Sequence, residues 1–296
     1  MTNRDNGWNM KKWLTKLLLP LLVVTSLLGS ERSQSQTFQQ SSNIPNFWDP
    51  NIRIPKPEGF KIDRLRFLTT TDFPPFNFID RNKLLSGFHI DLSRHICREL
   101  AILKLCQIQA LPWDDLDKAI EAGDGEVIIA GLEMTYAQRK KYDFSMPFLH
   151  IPARFVALQN SGLSEPMASS LFKKKTALVK GSSHARYFKA IFPNRKFVEF
   201  ESFAIAKTAV IDKSVDALFG DAVSLSFWLT SKSAANCCRF VGGPYLSIEY
   251  LGNGMTIAVA KNKPKLVEAI NYALRRVNDN GTFRELYLRY FPLSLY

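Results

Sequence analysis

The sequence predicts an α/β protein built from two successive β-α-β units. Short apolar runs of strand length alternate with longer segments in which apolar residues recur at helical spacing. The connections between these segments are short, which favours parallel strands covered by helices. The pattern is interrupted by a loose, polar stretch at residues 161–170 and then begins again. We therefore expect two units of one plan within the 296 residues.

In the first unit, the apolar run at residues 65–68 predicts the opening strand, and two prolines after it predict a stiff loop. Apolar residues then recur at helical spacing, at Leu92, Ile96, Leu100 and Leu103. Residues 107–110 and 127–130 read as the next two strands, with a helix between them that begins near Trp113. The three strands are expected to be parallel.

The second unit repeats the alternation. Its predicted strands lie at residues 176–179, 196–200 and 215–220, and its predicted helices lie at 184–192, after residue 202, and around Phe227 and Trp228. A further strand is predicted at residues 153–158, before the polar stretch. The tail returns to a predicted strand at 255–259 and then to two helices, at 264–279 and 282–290.

Residues 130–145 mark the candidate ligand site. They leave a buried run, pass through small and polar side chains, and enter a charged helical turn. Ligands of α/β proteins bind at the carboxyl ends of strands. An ordinary strand-to-helix connection is the alternative interpretation of this stretch.

The amino terminus has the pattern of a secretory signal peptide. Lys11, Lys12 and Lys16 precede an apolar run at residues 17–28, which is shorter than the roughly 20 residues that span a bilayer. We predict a signal peptide at residues 1–35, with Met1 or Met10 as the start, and a periplasmic mature protein. An uncleaved anchor is the alternative. The proline-rich residues 36–62 predict an extended leader on the first domain.

The net charge of +12 raises the question of a nucleic-acid partner. The basic residues are scattered, and the densest runs, at residues 139–141 and 173–175, are short. No nucleic-acid-binding motif accompanies them, so no such partner is expected. The histidines are dispersed and none stands at metal-ligand spacing from a cysteine, so neither a metal nor a cofactor is expected.

Export makes the four cysteines candidates for disulfide bonds. Cys97 and Cys106 are close enough in sequence to bridge one helix-to-strand segment, and we predict a disulfide bond between them. Cys237 and Cys238 are adjacent, and three states remain open for them: a vicinal disulfide, a bond to another chain, or buried thiols.

A series of short motifs occurs in one order along residues 64–292. They are Leu65-Arg-Phe with Pro75-Phe76, Gly87-Phe-His-Ile-Asp-Leu92, Trp113, Ile129-Ala-Gly131, Asp143-Phe-Ser-Met-Pro-Phe148, Gly181-Ser-Ser183, Val215-Asp-Ala-Leu and Asn280-Gly-Thr-Phe. In this order and spacing the chain resembles the family 3 extracytoplasmic solute-binding proteins, the periplasmic amino-acid receptors of ABC importers.

The resemblance implies a type II periplasmic-binding-protein fold, in which two lobes joined by two hinge strands close on a ligand. Lobe 1 would comprise residues 63–154 and 247–296, and lobe 2 residues 155–246. The expected partners are a small-molecule ligand and an ABC permease, and the expected state is a monomer without enzymatic activity.

The resemblance also carries a ligand site onto nine positions: Thr70, Phe73, Trp113, Gly131, Glu133, Thr135, Arg139, Ser183 and Asp221. Phe73 and Trp113 match aromatic walls of the site, with core packing as the alternative. Ser183 matches a residue at a helix start that meets the ligand carboxylate. Asp221 matches the carboxylate that holds the ligand ammonium group, with a helix cap as the alternative.

Several positions depart from the family pattern. Thr70 stands where an aspartate often binds a basic side chain, and a hydroxyl cannot supply that charge. Family members usually have an arginine three residues after the threonine at position 135, where this chain has Gln138 followed by Arg139. Glu133 occupies a position that often holds Ser or Thr. Either Arg139 pairs with Glu133, or the ligand is cationic and lacks an α-carboxylate.

Three functions follow as hypotheses. The first is a solute-binding protein that delivers a small polar, amine-bearing solute to a permease. The second is an accessory or sensor module that docks on another periplasmic protein. The third is a dehydratase-like enzyme on the same fold, with Glu133 as a general acid.

Overall fold

The computed structural model describes residues 48–49 and 51–296. The predicted signal peptide and the first part of the leader lie outside the described residues. In the described part of the leader, Trp48 is buried and Ile54, Phe60 and Ile62 pack against the core of the first sheet. Within the described residues, no helix combines the length and the apolar character needed to cross a membrane.

Thirteen strands occur within the described residues. They are β1 (Leu65–Thr69), β2 (Asp72–Phe73), β3 (Asn77–Ile79), β4 (Leu85–Ser86), β5 (Cys106–Ala110), β6 (Val127–Ile128), β7 (Tyr142–Phe144), β8 (Ala153–Leu158), β9 (Lys175–Val179), β10 (Lys196–Phe200), β11 (Ala217–Asp221), β12 (Cys238–Tyr245) and β13 (Ala258–Ala260).

Ten α-helices occur in the same part of the chain. They are α1 (Phe88–Glu99), α2 (Leu116–Glu121), α3 (Tyr136–Lys141), α4 (Met167–Ser170), α5 (Ser183–Ile191), α6 (Phe203–Ile211), α7 (Ala222–Leu229), α8 (Ile248–Leu251), α9 (Pro264–Asp279) and α10 (Thr282–Tyr290).

The first sheet has the order β5-β1-β6-β13-β7. Strands β1, β5 and β6 are parallel, as predicted, whereas β13 is antiparallel to both of its neighbours. One face is covered by α1, α9 and α10, whose apolar side chains form the largest core of the described residues. Because β13 comes from residues 258–260, this sheet combines early and late parts of the chain.

The second sheet has the order β10-β9-β11-β8-β12. Strands β9, β10 and β11 are parallel, and β8 is antiparallel to β11 and β12. One core packs the sheet against α5, and another packs it against α6 and α7. The two sheets and their helices form the mixed α/β architecture that the alternating pattern predicted.

Two segments connect the sheets, residues 145–152 and 246–257. We call them the crossing segments. They run antiparallel, with a β-bridge between Leu149 and Met255. The Phe148 N–H donates to the Met255 carbonyl at 2.9 Å, and the Met255 N–H donates to the Leu149 carbonyl at 2.7 Å. The two crossing segments therefore hold each other side by side between the sheets.

Several predicted strands differ from the structure in length or position. The strand predicted at residues 127–130 ends at Ile128, although the Ile129 N–H still donates to Leu68 at 2.9 Å. The strand predicted at 255–259 begins at Ala258, because Met255 belongs to a crossing segment. The polar stretch at residues 161–170 contains α4, which forms because Met167 is buried in the core of the second sheet.

A three-stranded antiparallel sheet, β2-β3-β4, was not predicted; its first strand precedes the two prolines, and the other two lie in the segment expected to be a stiff loop. Its strands have two or three residues, too few for a periodic pattern. The prediction also missed β12, whose Gly242, Gly243 and Pro244 suggest a turn, and which pairs with β8 through two register shifts.

Both cysteine pairs form disulfide bonds in the structure. Cys97 at the end of α1 is bonded to Cys106 at the start of β5, which confirms that prediction. Cys237 and Cys238, which the sequence left open, form a vicinal disulfide. Gln159 holds this pair from the neighbouring strand through hydrogen bonds to both carbonyl oxygens, at 2.9 and 3.1 Å.

The two disulfides are expected to differ in their contribution to stability, because a longer closed loop removes more entropy from the unfolded chain. Replacing Cys97 and Cys106 by alanine, at a sequence separation of 9, should lower the free energy of unfolding by about 2.5 kcal/mol. The matched double alanine variant at Cys237 and Cys238, at a separation of 1, should cost about 1 kcal/mol. Urea denaturation measures both. Equal losses would contradict the loop-entropy argument.

Candidate ligand-binding site

The carboxyl end of β1 meets the carboxyl end of β6 at one edge of the first sheet, because the two strands are parallel. The Thr69 hydroxyl donates to the Ile129 carbonyl at 2.8 Å and closes this edge. Directly after β6, Gly131 has a positive φ of 80°. A Cβ atom at Gly131 would lie 2.7 Å from the Phe73 ring. Glycine is thus required here for both backbone conformation and space.

Phe73 is the outermost ring of an aromatic stack. Its ring centroid lies 4.8 Å from that of Phe76, and the Phe76 ring lies 4.9 Å from His89. Phe76 is buried, whereas Phe73 is partly exposed. Phe73 therefore offers an apolar surface above Gly131 that is supported from below.

Thr70 and its neighbours form a buried polar group under this surface. Asn77 Nδ2 donates to the Thr70 hydroxyl at 2.8 Å and to the Thr70 carbonyl at 3.1 Å. His89 Nδ1 lies 2.9 Å from Asn77 Oδ1. Burial lowers the pKa of the His89 imidazole to about 3, so the ring is neutral at pH 7. Neither Asn77 nor His89 was predicted as a site residue, although Asn77 is a polar residue that stands between Phe76 and Phe78.

Trp113 lies on a 3₁₀ turn before α2 and is 48% exposed. It lines a cavity of about 200 Å³ together with Gln138 of α3. The other lining residues are Asp114, Leu116, Asp117, Ile128 and Leu132. The exposure favours the surface role of Trp113 over core packing.

Helix α3 begins at its cap residue Thr135, whose hydroxyl accepts the Gln138 N–H at 3.2 Å. The side chains of Gln138 and Arg139 then differ in direction. Gln138 faces the cavity, and its Oε1 has no hydrogen-bond partner within the described residues. Arg139 is exposed, and its carbonyl accepts from Lys261 Nζ at 3.0 Å.

Glu133 is exposed and lies beside the second crossing segment, since a Cβ atom at Gly252 would be 3.8 Å from its carboxylate. No hydrogen bond or ion pair joins Glu133 to Arg139 in the described part of the chain. The first alternative given for these positions, a pairing of Arg139 with Glu133, is therefore not supported by a hydrogen bond or an ion pair.

In the second sheet, Ser183 and Asp221 follow the neighbouring parallel strands β9 and β11. Ser183 is the first residue of α5, and its hydroxyl accepts from Arg186 at 2.9 Å. Asp221 caps α7, with Oδ1 accepting the Ser224 N–H at 2.7 Å. Asp221 can cap the helix and also bind a solute, because its second carboxylate oxygen accepts no hydrogen bond from the described residues.

His184 was not selected from the sequence and lies within electrostatic reach of Asp221. Burial lowers the pKa of His184, and the Asp221 carboxylate partly opposes that shift. The imidazole is therefore neutral at pH 7. It does not supply a positive partner for Asp221 there.

The nine candidate residues lie in three parts of the chain: Thr70, Phe73 and Trp113 come after β1 and β5, four more (Gly131, Glu133, Thr135 and Arg139) lie between β6 and β7, and Ser183 and Asp221 lie at the ends of β9 and β11. Thr70, Phe73 and Gly131 belong to one cluster, and Thr135 and Trp113 flank the cavity that Gln138 lines. Within the described residues, no group of three or more His, Cys, Asp or Glu side chains is arranged to hold a metal ion.

The two α/β sheets, joined by paired connections, have the fold of a two-lobed solute-binding protein. The chain belongs to the bacterial extracellular solute-binding proteins, family 3, and residues 65–293 match that family. Relatives in this family are named for the small molecules that they bind.

Two curated relatives are amino-acid-binding proteins. The putative ABC transporter arginine-binding protein 2 of Escherichia coli is 29% identical over 77% of this chain and 91% of its own length. The probable histidine-binding protein of Neisseria gonorrhoeae is 23% identical over 96% of each chain. Among solved structures, the L-cystine solute receptor of N. gonorrhoeae in its unliganded open conformation has a TM-score of 0.66 at 21% identity, covering 78% of this chain and 94% of that one.

The contact between Gly131 and Phe73 gives a test of the site geometry. Gly131→Ala places a methyl group against the ring at a positive φ, so we expect the free energy of unfolding to fall by about 3 kcal/mol. Gly162→Ala is the matched control, because Gly162 has a φ of 70° with no atom within 4 Å of an added Cβ. It should cost about 1 kcal/mol. Equal losses in urea denaturation would show that the Phe73 ring does not pack on Gly131.

Proposed function

We propose that the protein is a periplasmic, monomeric solute-binding protein that captures a small polar, amine-bearing solute and delivers it to the permease of an ABC importer. The solute is an amino acid or a derivative of one. It binds between the two lobes, against the nine candidate residues: Thr70, Phe73, Trp113, Gly131, Glu133, Thr135, Arg139, Ser183 and Asp221. No catalytic step is part of this function.

The observation that carries the proposal is the state of Asp221. Its carboxylate stands at the carboxyl end of β11, caps α7 with one oxygen, and forms no ion pair with a lysine or arginine of the described residues. A partly buried carboxylate without a cationic partner binds an ammonium group through charge-assisted hydrogen bonds. The relatives named above are called arginine-binding and histidine-binding proteins, and both of these amino acids have an ammonium group.

Glu133 supports a cationic head group. It is a second carboxylate without a cationic partner in the described residues, and it lies beside the second crossing segment. Arg139, the one arginine of the candidate set, is exposed and forms no hydrogen bond or ion pair with Glu133 in the described residues. A free α-carboxylate on the solute would be repelled by Glu133. We therefore propose that decarboxylated or amidated amines bind at least as well as the parent amino acids.

Asp221→Asn tests the proposal with little loss of stability, since asparagine is an equally good helix cap. We expect affinity for the amine to fall about ten- to a hundredfold, because a charge-assisted bond is replaced by a neutral one. Thermal shift with L-arginine, agmatine, L-histidine and histamine measures the effect. A true ligand at a hundredfold excess over Kd stabilises the protein by about 2.7 kcal/mol.

Asp143→Asn is the matched control. Like Asp221, Asp143 is a partly exposed carboxylate, but it lies in the first sheet and is paired with Lys261 at 2.6 Å. Its replacement should leave ligand-induced stabilisation unchanged. Stabilisation that survives Asp221→Asn, or the absence of stabilisation by any amine of the panel, would contradict the proposal.

A further inference from the structure

A buried polar chain connects Thr70 to helix α1. Thr70 is 2% exposed, and Asn77 and His89 are fully buried. The chain runs from the Thr70 hydroxyl to the Asn77 amide at 2.8 Å and from Asn77 to His89 Nδ1 at 2.9 Å. It is surrounded by the rings of the aromatic stack, where an unpaired polar group is costly. The direction of each hydrogen bond in the chain is therefore decisive.

The Thr70 carbonyl fixes that direction. A carbonyl oxygen only accepts, so the Asn77 group that faces it at 3.1 Å is the amide NH₂. Asn77 Oδ1 must then face His89, and the neutral imidazole must carry its proton on Nδ1 to donate to it. His89 Nε2 is left as a bare, buried acceptor, and it has no hydrogen-bond partner in the part of the chain that the structure describes.

This order leaves the Thr70 hydroxyl proton available. The hydroxyl oxygen already accepts from Asn77, and none of the described residues accepts its proton. The neighbouring Thr69 differs, because its hydroxyl donates to the Ile129 carbonyl at 2.8 Å. Of these two threonines at the end of β1, Thr70 is the one that can donate to a bound molecule.

We propose that Asn77 and His89 are positioning residues that hold the Thr70 hydroxyl as a hydrogen-bond donor, and that the solute presents a neutral carbonyl oxygen to it. This inference rests on the proposed function, because it takes Thr70 as part of the ligand site. A guanidinium or ammonium group offers only donors, so it could use the remaining lone pair of the hydroxyl but would leave the hydroxyl proton without an acceptor. The solute class is then an amine at one end with a carboxamide or ureido group at the other.

Four probes separate this inference from the proposed function. L-citrulline and L-arginine differ by a ureido oxygen in place of a guanidinium nitrogen, and N-carbamoylputrescine and agmatine are the same pair without the α-carboxylate. Isothermal titration should show tighter binding of the ureido member in each pair, by about tenfold, the value of one hydrogen bond. Binding of the guanidinium compounds alone would overturn the inference and leave the proposed function intact. No binding by any of the four would overturn both.

Thr70→Val tests the hydroxyl, since valine keeps the shape and removes the donor. The preference for the ureido compounds should fall about tenfold towards unity. Thr69→Val is the matched control, which removes a hydroxyl engaged with Ile129 and should leave the preference unchanged. Asn77→Asp replaces the amide donor by an acceptor, so Thr70 would donate to it and the preference should shift towards the guanidinium compounds. An unchanged preference in Thr70→Val would overturn the inference.

The tautomer of His89 is a readout that does not depend on a ligand. Nitrogen-15 NMR of the wild-type protein should show His89 protonated at Nδ1 and bare at Nε2 at pH 7. A His89 ring protonated at Nε2 would reverse the direction of the hydrogen bonds, so that Thr70 would donate to Asn77 and not to a ligand. That result would overturn the inference. Because the measurement uses the wild-type protein, it stands even if the variants fail to fold.

Discussion

The pairing of the two crossing segments is the constraint on which the rest of the structure depends. The chain leaves the first sheet after β7 and returns to it at β13, and β13 pairs with β7 and β6. The Ser145 N–H donates to the Ile257 carbonyl at 2.9 Å, and the Ile257 N–H donates to the Ser145 hydroxyl at 2.9 Å. The second sheet and its helices are therefore an insertion whose two ends are held together. Such paired connections let two lobes rotate about a common line while each keeps its core.

The candidate site lies close to this line. The Ala222 N–H donates to the Pro152 carbonyl at 3.1 Å, which fixes the start of α7, and with it Asp221, to the first crossing segment. Glu133 lies beside Gly252 of the second crossing segment. The two carboxylates without cationic partners are thus next to the connections that would bend. A cation bound between them would contact both lobes, so its binding energy would favour the closed arrangement.

The sequence was sufficient for the architecture where elements are long enough to show a period. Helix α9 at Pro264–Asp279 agrees with its prediction, and the parallel strands of both sheets follow from the alternation. The two-residue strands β2 and β4 carry no period and were missed. The vicinal disulfide was left open, because adjacent cysteines are compatible with several states until the backbone around them is known.

The candidate site was predictable only in part. Phe73, Gly131 and Asp221 follow from motif positions, and the structure gives each a neighbourhood consistent with a strand-end site. The contact of Asn77 with His89 spans 12 residues between a hairpin and a helix, and no local pattern encodes it. The different directions of Gln138 and Arg139 depend on where α3 starts, which its Thr135 cap determines. Side-chain direction around a helix changes by about 100° per residue, so a shift of one position changes the chemistry of the site.

The interaction that we propose between the lobes is the binding of a cationic solute at Asp221. Native mass spectrometry, after incubation of the protein with a small-molecule extract of bacterial periplasm, tests it directly because it requires no prior choice of ligand. We expect one bound molecule per chain, containing a basic nitrogen, in the wild type, and at least tenfold less of it in Asp221→Asn. An acidic molecule without an amine, the same occupancy in Asp221→Asn, or no bound molecule in the wild type would contradict it.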